Sequence, residues 1–404
     1  MSIKKARAAA GGRQWRDSIT ECLDYSYDPN PPSSLLDCAV SICKDSYASL
    51  SVDFSAVCFY SHNLELEGAP LALMSLIEQS WIDGQSYHVL SESQGALYQE
   101  LISLAGCVGI EILPKNLGRS STPFDISIKI KQIAIYLSSL PVSRLFINTT
   151  RGYMLASAAR LIGMPYEWWI HEAEEPFSFL GRTERYDVAV NEMRNCRNLC
   201  FASNSTMERY VRILELASAN CRVLYPVATR RRLVEARCFS DKKGARQILR
   251  LESKIVIANV GTYCHRKRQA DIIEAYSKLS RAEQMVASVI FAGDIHAEPE
   301  YYRSLVRMAM SVNTLAGRDS VLLHPRTGNI QYYYLCADIY VHGSWNECFS
   351  QAVKEALFFG LPVVYRETEG MSEMMGLEEK GYSYKTVEDL AFKLSNMIAL
   401  LQGQ

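Results

Sequence analysis

Short apolar runs alternate along most of the chain with longer stretches in which apolar residues recur every three or four positions. The runs are typical of buried strands, and the longer stretches are typical of amphipathic helices. In the first half, strands are predicted at 56–60, 87–90, 109–113, 144–148, 166–170 and 198–202. In the second half they are predicted at 254–260, 286–292, 320–324, 338–342 and 361–365. This alternation predicts parallel sheets covered by helices, with ligands at the carboxyl ends of the strands.

The alternation is interrupted once, between about Pro226 and Arg250, where basic residues crowd a stretch with few acids. A chain of 404 residues also exceeds what one hydrophobic core usually supports. We therefore predict an α/β fold with two Rossmann-like, doubly wound domains facing each other across a cleft. The predicted division is an N-terminal extension (1–50), a first domain (51–228), a linker region (229–250) and a second domain (251–404). The basic stretch is interpreted as a solvated linker face, with an anionic acceptor site as the alternative.

The most informative segment of the second domain is WNECFSQAVKEALFFGLPVV, which begins at Trp345. Its pattern predicts a helix from about Phe349 to Phe359, ended by Gly360 and followed by a proline and a buried strand. Together with the strand upstream, this makes a strand, loop, helix and strand unit, as found in parallel sheets.

Two carboxylates lie at the start of this predicted helix. Glu347 belongs to the loop before it, and Glu355 lies about one and a half turns inside it. The first backbone N–H groups, around Phe349 to Ala352, have no partner within a helix and carry partial positive charge, which suits a phosphate. A diphosphate-linked ligand would fit this arrangement, with one acid toward ribose hydroxyls and the other toward a second hydroxyl-rich group.

The two glutamates eight positions apart, the Gly-x-Pro-Val-Val that follows and the later run EGMSE from Glu369 resemble the retaining GT-B glycosyltransferases of family 4, the glycosyl transferases group 1. The alternative for the acids alone is an ordinary amphipathic helix with surface carboxylates. The resemblance implies transfer of a sugar from a nucleoside diphosphate to an acceptor hydroxyl. It assigns Glu355 to the ribose hydroxyls and Glu347, as a catalytic residue, to the donor sugar.

A second stretch, GTYCHRKRQ, follows the first strand of the second domain and begins at Gly261. It is similar to the family signature Gly, Arg, four residues, Lys, Gly, whose cations neutralise the donor diphosphate. Lys267 occupies the lysine position, while Thr262 and Arg268 stand at the usual arginine and glycine positions. Arg266 is expected to supply the second cation, only because it is next to Lys267 in the sequence. A solvated basic surface is the alternative interpretation.

Other residues near the acidic loop complete the predicted donor site. Ser344 matches the family serine before that loop, whereas Cys348 and Ser350 replace two glycines that the family favours. Ser350 is predicted to cap the helix, with its hydroxyl available to phosphate. The amides of Phe349, Ser350 and Gln351 are expected behind the diphosphate.

Two positions of the first domain also resemble the family. Gly68 precedes a predicted helix in a loop where a glycine lets the backbone approach donor phosphate or acceptor, although a lone glycine there is usually only a turn. His171, the fourth residue of WWIHE, matches the catalytic histidine that reaches the transferred sugar. A hydrogen-bonded structural histidine is the alternative.

The resemblance also implies the chemistry. In retaining members the acceptor attacks from the leaving-group side and a phosphate oxygen takes its proton, so no carboxylate base is needed. No Asp-x-Asp triplet occurs in the sequence, in keeping with a metal-independent fold. We therefore expect no metal or other cofactor, with the nucleoside-diphosphate sugar as co-substrate.

Net charge and composition limit the classes of protein to which this chain can belong. The net charge of −1 argues against a general nucleic-acid binder. Scattered cysteines without a C-x-x-C pair predict free thiols, and no long apolar run occurs, so a cytoplasmic protein is expected. Five basic residues and no acid among the first sixteen positions suit a solvated end, or peripheral contact with anionic lipid.

The sequence is compatible with several donors, acceptors and functions. The donor is expected to be a UDP-sugar or a GDP-sugar, and the acceptor a glycan, a lipid-linked sugar or a protein. Thr262, Arg268 and the short C-terminus leave open a catalytically weakened subunit that binds or stabilises a partner glycosyltransferase. A nucleotide-sugar epimerase or a phosphorylase of the same fold is a further alternative.

Overall fold

A computed structural model describes residues 56–82, 84–104, 106–113, 123–174, 184–227, 234–235, 241–378 and 381–403, together with 37, 40, 41 and 44. Apart from those four positions, the predicted N-terminal extension lies outside the described residues. Two compact units are present. The first unit extends to Ala202 and also includes Thr206–Tyr225. The second unit comprises Ser203–Ser205 and Pro226–Gln404.

The first unit contains a parallel sheet of seven strands in the order β3-β2-β1-β4-β5-β6-β7. The strands are β1 (Val57–Ser61), β2 (Tyr87–Ser91), β3 (Cys107–Ile112), β4 (Arg144–Asn148), β5 (Tyr166–Ile170), β6 (Leu199–Phe201) and β7 (Cys221–Val223). The helices are α1 (Gly68–Ile82), α2 (Leu97–Ser103), α3 (Pro123–Ser139), α4 (Tyr153–Ile162), α5 (Glu184–Asn195) and α6 (Asn204–Leu214).

Apolar side chains cover both faces of this sheet. Trp168 and Trp169 are adjacent in β5 and fully buried, yet they belong to two different core clusters. Successive side chains of a strand point to opposite faces, so the two tryptophans pack on the two layers of helices. Strands buried on both faces read as continuous apolar runs, which is why the sequence reveals them.

The second unit contains a parallel sheet of six strands in the order β10-β9-β8-β11-β12-β13. The strands are β8 (Ile255–Val260), β9 (Ala287–Gly293), β10 (Val321–Pro325), β11 (Ile339–His342), β12 (Val363–Arg366) and β13 (Tyr382–Tyr384). The helices are α7 (Lys242–Ile248), α8 (Gln269–Ser277), α9 (Arg281–Val286), α10 (Pro299–Ala316), α11 (Gln331–Cys336), α12 (Gln351–Phe358), α13 (Glu369–Glu378) and α14 (Val387–Gln402). Apolar clusters cover both faces of this sheet as well.

Every strand predicted from the sequence is present, with ends within two residues of the prediction. The prediction of two doubly wound α/β units is confirmed. The strands β7 and β13 were not predicted, because each has three residues at the edge of its sheet and shows no apolar run. Pairing with the neighbouring strand, which is a tertiary contact, creates them.

The last part of the predicted linker region 229–250 forms α7. Ala245 is fully buried in a core cluster of the second unit. Lys242 and Arg246 both form ion pairs with Asp338, next to β11. The cations of α7 therefore hold it on the second sheet, while the arginines at 230, 231, 232 and 237 lie outside the described residues. Among the residues that the structure describes, no helix is long and apolar enough to cross a bilayer.

Candidate functional site

The strand order of the second sheet reverses between β8 and β11, which lie side by side although two strands and four helices separate them along the chain. The loops after these strands, residues 261–268 and 343–350, therefore leave the same edge next to each other. Ligands of doubly wound sheets bind at such a switch point. The stretch that begins at Gly261 forms the first of these loops, and the stretch that begins at Trp345 starts in the second loop and continues into α12.

Close backbone contacts at two glycines fix the loops relative to each other. A Cβ on Gly343 would lie 2.9 Å from the carbonyl oxygen of Lys267. A Cβ on Gly370, in the first turn of α13, would lie 2.2 Å from the carbonyl oxygen of Glu347. No side chain fits at either position, so the glycines allow the cationic loop, the acidic loop and α13 to pack directly on one another.

Glu347 joins the two loops through its side chain. Lys267 Nζ donates to Glu347 Oε1, and Arg266 Nη1 donates to Glu347 Oε2 at 3.0 Å. The same Arg266 nitrogen donates to the carbonyl oxygen of Asn346 at 3.0 Å and lies 3.4 Å from Ser344 Oγ. We call Arg266, Lys267 and Glu347 the ion cluster. The sequence pointed to each member, but only the structure shows that one carboxylate binds both cations.

Burial and charge set the protonation of the ion cluster. Burial alone would raise the pKa of Glu347, but the charges of Lys267 and Arg266 outweigh it and hold that pKa well below its usual range. Burial lowers the pKa of Lys267 in spite of its pairing with Glu347. The carboxylate is therefore ionised at neutral pH, and two cations facing one carboxylate leave an excess of positive charge at the switch point.

His342 is a neighbour of the ion cluster that the sequence analysis did not assign. It is the last residue of β11, is fully buried, and its Nε2 lies 3.5 Å from Glu347 Oε1. Burial lowers its pKa, so the imidazole is neutral near pH 7. The available signal was a histidine at the carboxyl end of a predicted buried strand, two positions before Ser344.

Thr262 contributes backbone rather than charge to its loop. Gln269 Nε2 donates to the carbonyl oxygen of Thr262 at 3.0 Å. Gly261 precedes it, and a Cβ on Gly293 would lie 1.9 Å from the Gly261 carbonyl oxygen. The loop after β8 thus packs against the end of β9 at its first two residues, and Arg266 and Lys267 supply its charge.

Arg268 occupies the usual glycine position of the signature and has a left-handed backbone, with φ 54° and ψ 37°. Glycine adopts this conformation freely, whereas other residues are strained in it. The Arg268 side chain donates from Nε to Asp271 Oδ2 at 3.2 Å, and Arg366 Nη1 donates to the same oxygen at 2.9 Å. Arg268 therefore holds a left-handed backbone that glycine would adopt without strain, and its charge is paired with Asp271.

The helix after the acidic loop begins two residues later than predicted. Ser350 is its N-cap and is almost fully buried, but its hydroxyl makes no capping hydrogen bond. The first bond of the helix runs from the Lys354 N–H to the Ser350 carbonyl oxygen, at 3.1 Å. The amides of residues 351–353 are therefore the free donors of the first turn, and Phe349 lies before the helix, with its ring 5.1 Å from Lys354 Nζ.

The side chains of Gln351 and Glu355 both lie inside the unit. Gln351 Nε2 donates to the Val227 carbonyl oxygen at 2.8 Å. The Gln351 side chain is therefore held by a residue of its own unit. Glu355 is 8% exposed, and its charge adds to burial in raising the pKa of Tyr334. The predicted difference between the two acids is present, with Glu347 in a loop and Glu355 within the helix.

The two first-domain candidates lie at the carboxyl edge of the first sheet. His171 follows β5, half-buried, with its ring centroid 4.2 Å from that of Trp169. Burial, and then the charge of His62, lower the pKa of His171 to about 3, so it is uncharged at neutral pH. Gly68 begins α1, and a Cβ there would meet no protein atom within 4 Å. Packing within the described residues therefore does not require a glycine at this position.

No group of three or more His, Cys, Asp or Glu side chains is arranged to hold a metal ion within the described ranges. At the switch point the second unit presents two side-chain cations, a carboxylate and helix amides.

Residues 241–400 match the family model described as glycosyl transferases group 1. This match covers the second unit from α7 through most of α14 and includes the ion cluster. The sequence matches none of the curated proteins with which it was compared.

Solved structures of glycosyltransferases are similar over most of the chain. HepE of Anabaena in complex with UDP and glucose is 16% identical with a TM-score of 0.66, covering 86% of this chain and 90% of its own. A glycosyltransferase of Rickettsia africae is 14% identical with a TM-score of 0.68, covering 87% and 89%. Sucrose-phosphate synthase of Thermosynechococcus elongatus is 16% identical with a TM-score of 0.65, covering 86% and 90%. Similarity of this degree shows the fold, which is the GT-B fold with its two Rossmann-like domains.

Proposed function

We propose that this protein is a retaining glycosyltransferase of family 4, which moves a sugar from a nucleoside diphosphate to an acceptor hydroxyl in the cytoplasm. The observation that carries the proposal is the ion cluster at the switch point of the second sheet. The loops that carry the two cations and the free amides of α12 lie at the same edge of the sheet. Doubly wound folds bind phosphate-bearing ligands at this place.

The cations and amides suit a departing diphosphate. Breaking the bond between the sugar and the diphosphate places negative charge on the leaving phosphate oxygens and positive charge on the sugar. Lys267, Arg266 and the amides of residues 351–353 are fixed donors that favour the first of these charges. Because the loops are packed backbone against backbone, these donors need little reorganisation as the bond breaks.

The two glutamates have separate proposed roles. Glu347 holds both cations in place and also faces the donor sugar, with Ser344 supporting the arginine. Glu355 binds the ribose hydroxyls from within the helix. Gly261 leaves room for the diphosphate to approach the backbone of the loop after β8.

The first unit supplies uncharged groups in this proposal. His171 is neutral, so it is suited to hydrogen bonding with the transferred sugar rather than to carrying a proton through the reaction. The acceptor oxygen forms its bond to the sugar carbon on the face that the diphosphate leaves, and its proton passes to a phosphate oxygen. Gly68 belongs to the loop that borders this chemistry.

The donor is proposed to be a UDP-sugar, with a GDP-sugar as the alternative, and no metal is required. The structures of HepE with UDP and with UDP-glucose support UDP as the first choice. The acceptor is proposed to be a glycan, a lipid-linked sugar or a protein hydroxyl.

One observation favours a second function. Thr262 replaces a family cation, and the guanidinium of Arg268 is paired with Asp271. A weaker diphosphate clamp would suit a subunit that binds or stabilises an active partner glycosyltransferase. The two functions differ in whether this chain alone turns over donor.

Calorimetric titration with UDP, GDP and ADP in chelating buffer tests the proposal. We expect one nucleotide to bind, and Lys267→Met to weaken that binding at least about tenfold, because it removes a charge-assisted hydrogen bond. Lys278→Met, beyond the other end of α8, is the matched control and should bind as wild type. If none of the three nucleotides binds, the proposal is wrong.

A further inference from the structure

His342 is carried by a part of β11 whose backbone is fixed on both sides. It belongs to the ladder that joins β11 to β12. On the other side, Asn259 Nδ2 of β8 donates to the carbonyl oxygen of the preceding Val341 at 2.8 Å. The next residue is Gly343, where a Cβ would lie 2.9 Å from the Lys267 carbonyl oxygen. The imidazole of His342 is therefore attached to a rigid part of the second unit.

One ring nitrogen of His342 is left without a hydrogen bond. Its Nε2 is buried and has no partner among the described residues, and Glu347 Oε1 lies 3.5 Å from it. An N–H and an oxygen form a hydrogen bond at about 2.7–3.2 Å, so a displacement of about half an ångström would pair the two atoms. Buried polar atoms are normally paired, so an unpaired nitrogen that faces a carboxylate requires an explanation.

The protonation state of His342 makes it an uncharged donor. Burial lowers the pKa of His342 in spite of the opposing effect of the Glu347 carboxylate, and the charges of Lys267 and Arg266 lower that pKa further. The neutral imidazole carries one N–H. Because an ionised carboxylate only accepts hydrogen bonds, the tautomer that suits this pair has its proton on Nε2. Such a donor adds no charge to the two cations that already face Glu347.

Glu347 engages the same two cations that a diphosphate would bind. Lys267 Nζ donates to Oε1 of its carboxylate, and Arg266 Nη1 donates to Oε2. A diphosphate carries more negative charge than one carboxylate, so a nucleoside diphosphate at the switch point would draw both cations towards its own oxygens. The Glu347 side chain is only 12% exposed, and a buried carboxylate that loses its partners is strongly destabilised.

We propose that His342 is a positioning residue for Glu347, and that its Nε2–H binds the carboxylate when Lys267 and Arg266 bind the donor diphosphate. This hydrogen bond replaces part of the stabilisation that the cations give to Glu347, and it keeps the carboxylate ionised and directed at the donor sugar. The inference rests on the proposed transferase function. It assigns a role to a residue outside the sequence stretches that resemble the family.

His88 of the first unit provides a matched comparison. It is 3% exposed, its Nε2 lies 3.4 Å from Glu111 Oε1, and both of its ring nitrogens are buried without a hydrogen-bond partner among the described residues. The pair therefore resembles His342 and Glu347 in distance and burial. However, His88 is the second residue of β2, so it lies near the amino end of its strand, away from the carboxyl edge of the sheet. Replacing His88 reports the effect of losing a buried histidine alone.

Calorimetric titration of a double-mutant cycle with UDP tests the proposal. His342→Leu removes the donor at similar volume and should bind UDP at least about tenfold more weakly, because a hydrogen bond to a charged group is lost. In Glu347→Gln the negative charge is absent, so adding His342→Leu to it should change UDP affinity less than about twofold. A histidine that only maintains the fold would lower the affinity by the same factor in both backgrounds.

Two further variants complete the test. His342→Gln keeps an N–H donor in place of Nε2 and should bind UDP as wild type. His88→Leu should leave UDP affinity unchanged, whatever its effect on the melting temperature. The melting temperature of every variant shows whether it is folded during the titration. If His342→Leu does not fold, His342→Met takes its place in the cycle, because methionine adapts to irregular spaces and has no N–H.

The outcomes separate this inference from the transferase function. If wild-type protein binds UDP and the histidine variant binds it equally well, or loses the same factor in both backgrounds, the role of His342 is wrong and the transferase proposal stands. If GDP or ADP is the nucleotide that binds, the same cycle is measured with that nucleotide. If wild-type protein binds none of the three, the transferase proposal is wrong, and this inference is wrong with it.

Discussion

Gly370 packs directly on the backbone of Glu347. A Cβ on Gly370 would lie 2.2 Å from the Glu347 carbonyl oxygen and 2.5 Å from that of Cys348, so no other residue fits without moving the acidic loop. The position of the Glu347 carboxylate, which binds two cations from another loop, therefore depends on a glycine in α13. The glycine of the EGMSE run, which follows the two glutamates in the sequence, is therefore required by packing.

Gly370→Ala should lower turnover at least about tenfold, because it displaces the loop that carries Glu347 by a fraction of an ångström or more. Gly376→Ala lies in the same helix, where a Cβ meets nothing within 4 Å, and is the matched control. It should leave turnover unchanged and stabilise the helix by about 0.5–1 kcal/mol. Steady-state kinetics and urea unfolding measure both effects. Equal turnover in the two variants would contradict the packing argument.

Glu347→Gln should lower turnover about 100-fold or more while it weakens binding of the nucleoside diphosphate much less. The amide still fills the space, but it no longer fixes both cations against one another. Loss of one partner of a buried ion pair should also lower the free energy of unfolding by about 3 kcal/mol. Glu300→Gln, which loses only an exposed pair with Arg303, should change neither property. Unimpaired turnover in Glu347→Gln would remove it from the site.

Glu355→Ala should weaken donor binding through the loss of ribose contacts. The specific test compares UDP with 2′-deoxy-UDP by calorimetry. Wild-type protein should prefer UDP by about tenfold, which is one hydrogen bond to a charged group. The variant should bind both nucleotides with the same, weaker affinity. If the preference for UDP survived in the variant, Glu355 would not be the ribose ligand.

Replacing Arg268 with glycine should give a more stable protein than replacing it with alanine. Both substitutions remove the partly exposed ion pair with Asp271, but only glycine relieves the left-handed backbone. Arg268→Gly should therefore be more stable than Arg268→Ala by about 1 kcal/mol. At Arg303, in the interior of α10, the alanine variant should instead be the more stable by about 1 kcal/mol, because glycine is a poor helix former. Urea unfolding of the four variants checks both signs.

His171 should make the protein less stable in acid. Burial lowers its pKa from 6.5 to about 3, so between these values the unfolded chain binds a proton that the folded chain does not. The unfolded state is then favoured as the pH falls from about 6.5 towards 3, by at most about 1.4 kcal/mol per pH unit. The slope should be smaller for His171→Gln in urea unfolding at about pH 5 and pH 7. Exposed His296→Gln is the control and should keep the wild-type slope.

The parallel sheets were accessible from the sequence because their strands are buried on both faces. Runs such as those of β4 and β5 are apolar in succession, and a local pattern is enough to find them. The strands β7 and β13 lacked such a pattern. The start of α12 was predicted too early because the sequence around Ser350 is compatible with a helix, while the structure keeps that residue extended as an N-cap.

The alternation of strands and helices, the acids at a helix start and the cations after β8 could all be predicted, because each depends on neighbours along the chain. The hydrogen bond between Arg266 and Glu347, 81 positions apart, and the place of His342 beside them depend instead on how distant segments pack. Such contacts depend on the order of strands in the sheet and on close backbone approach at glycines, and these arise only when distant segments pack together.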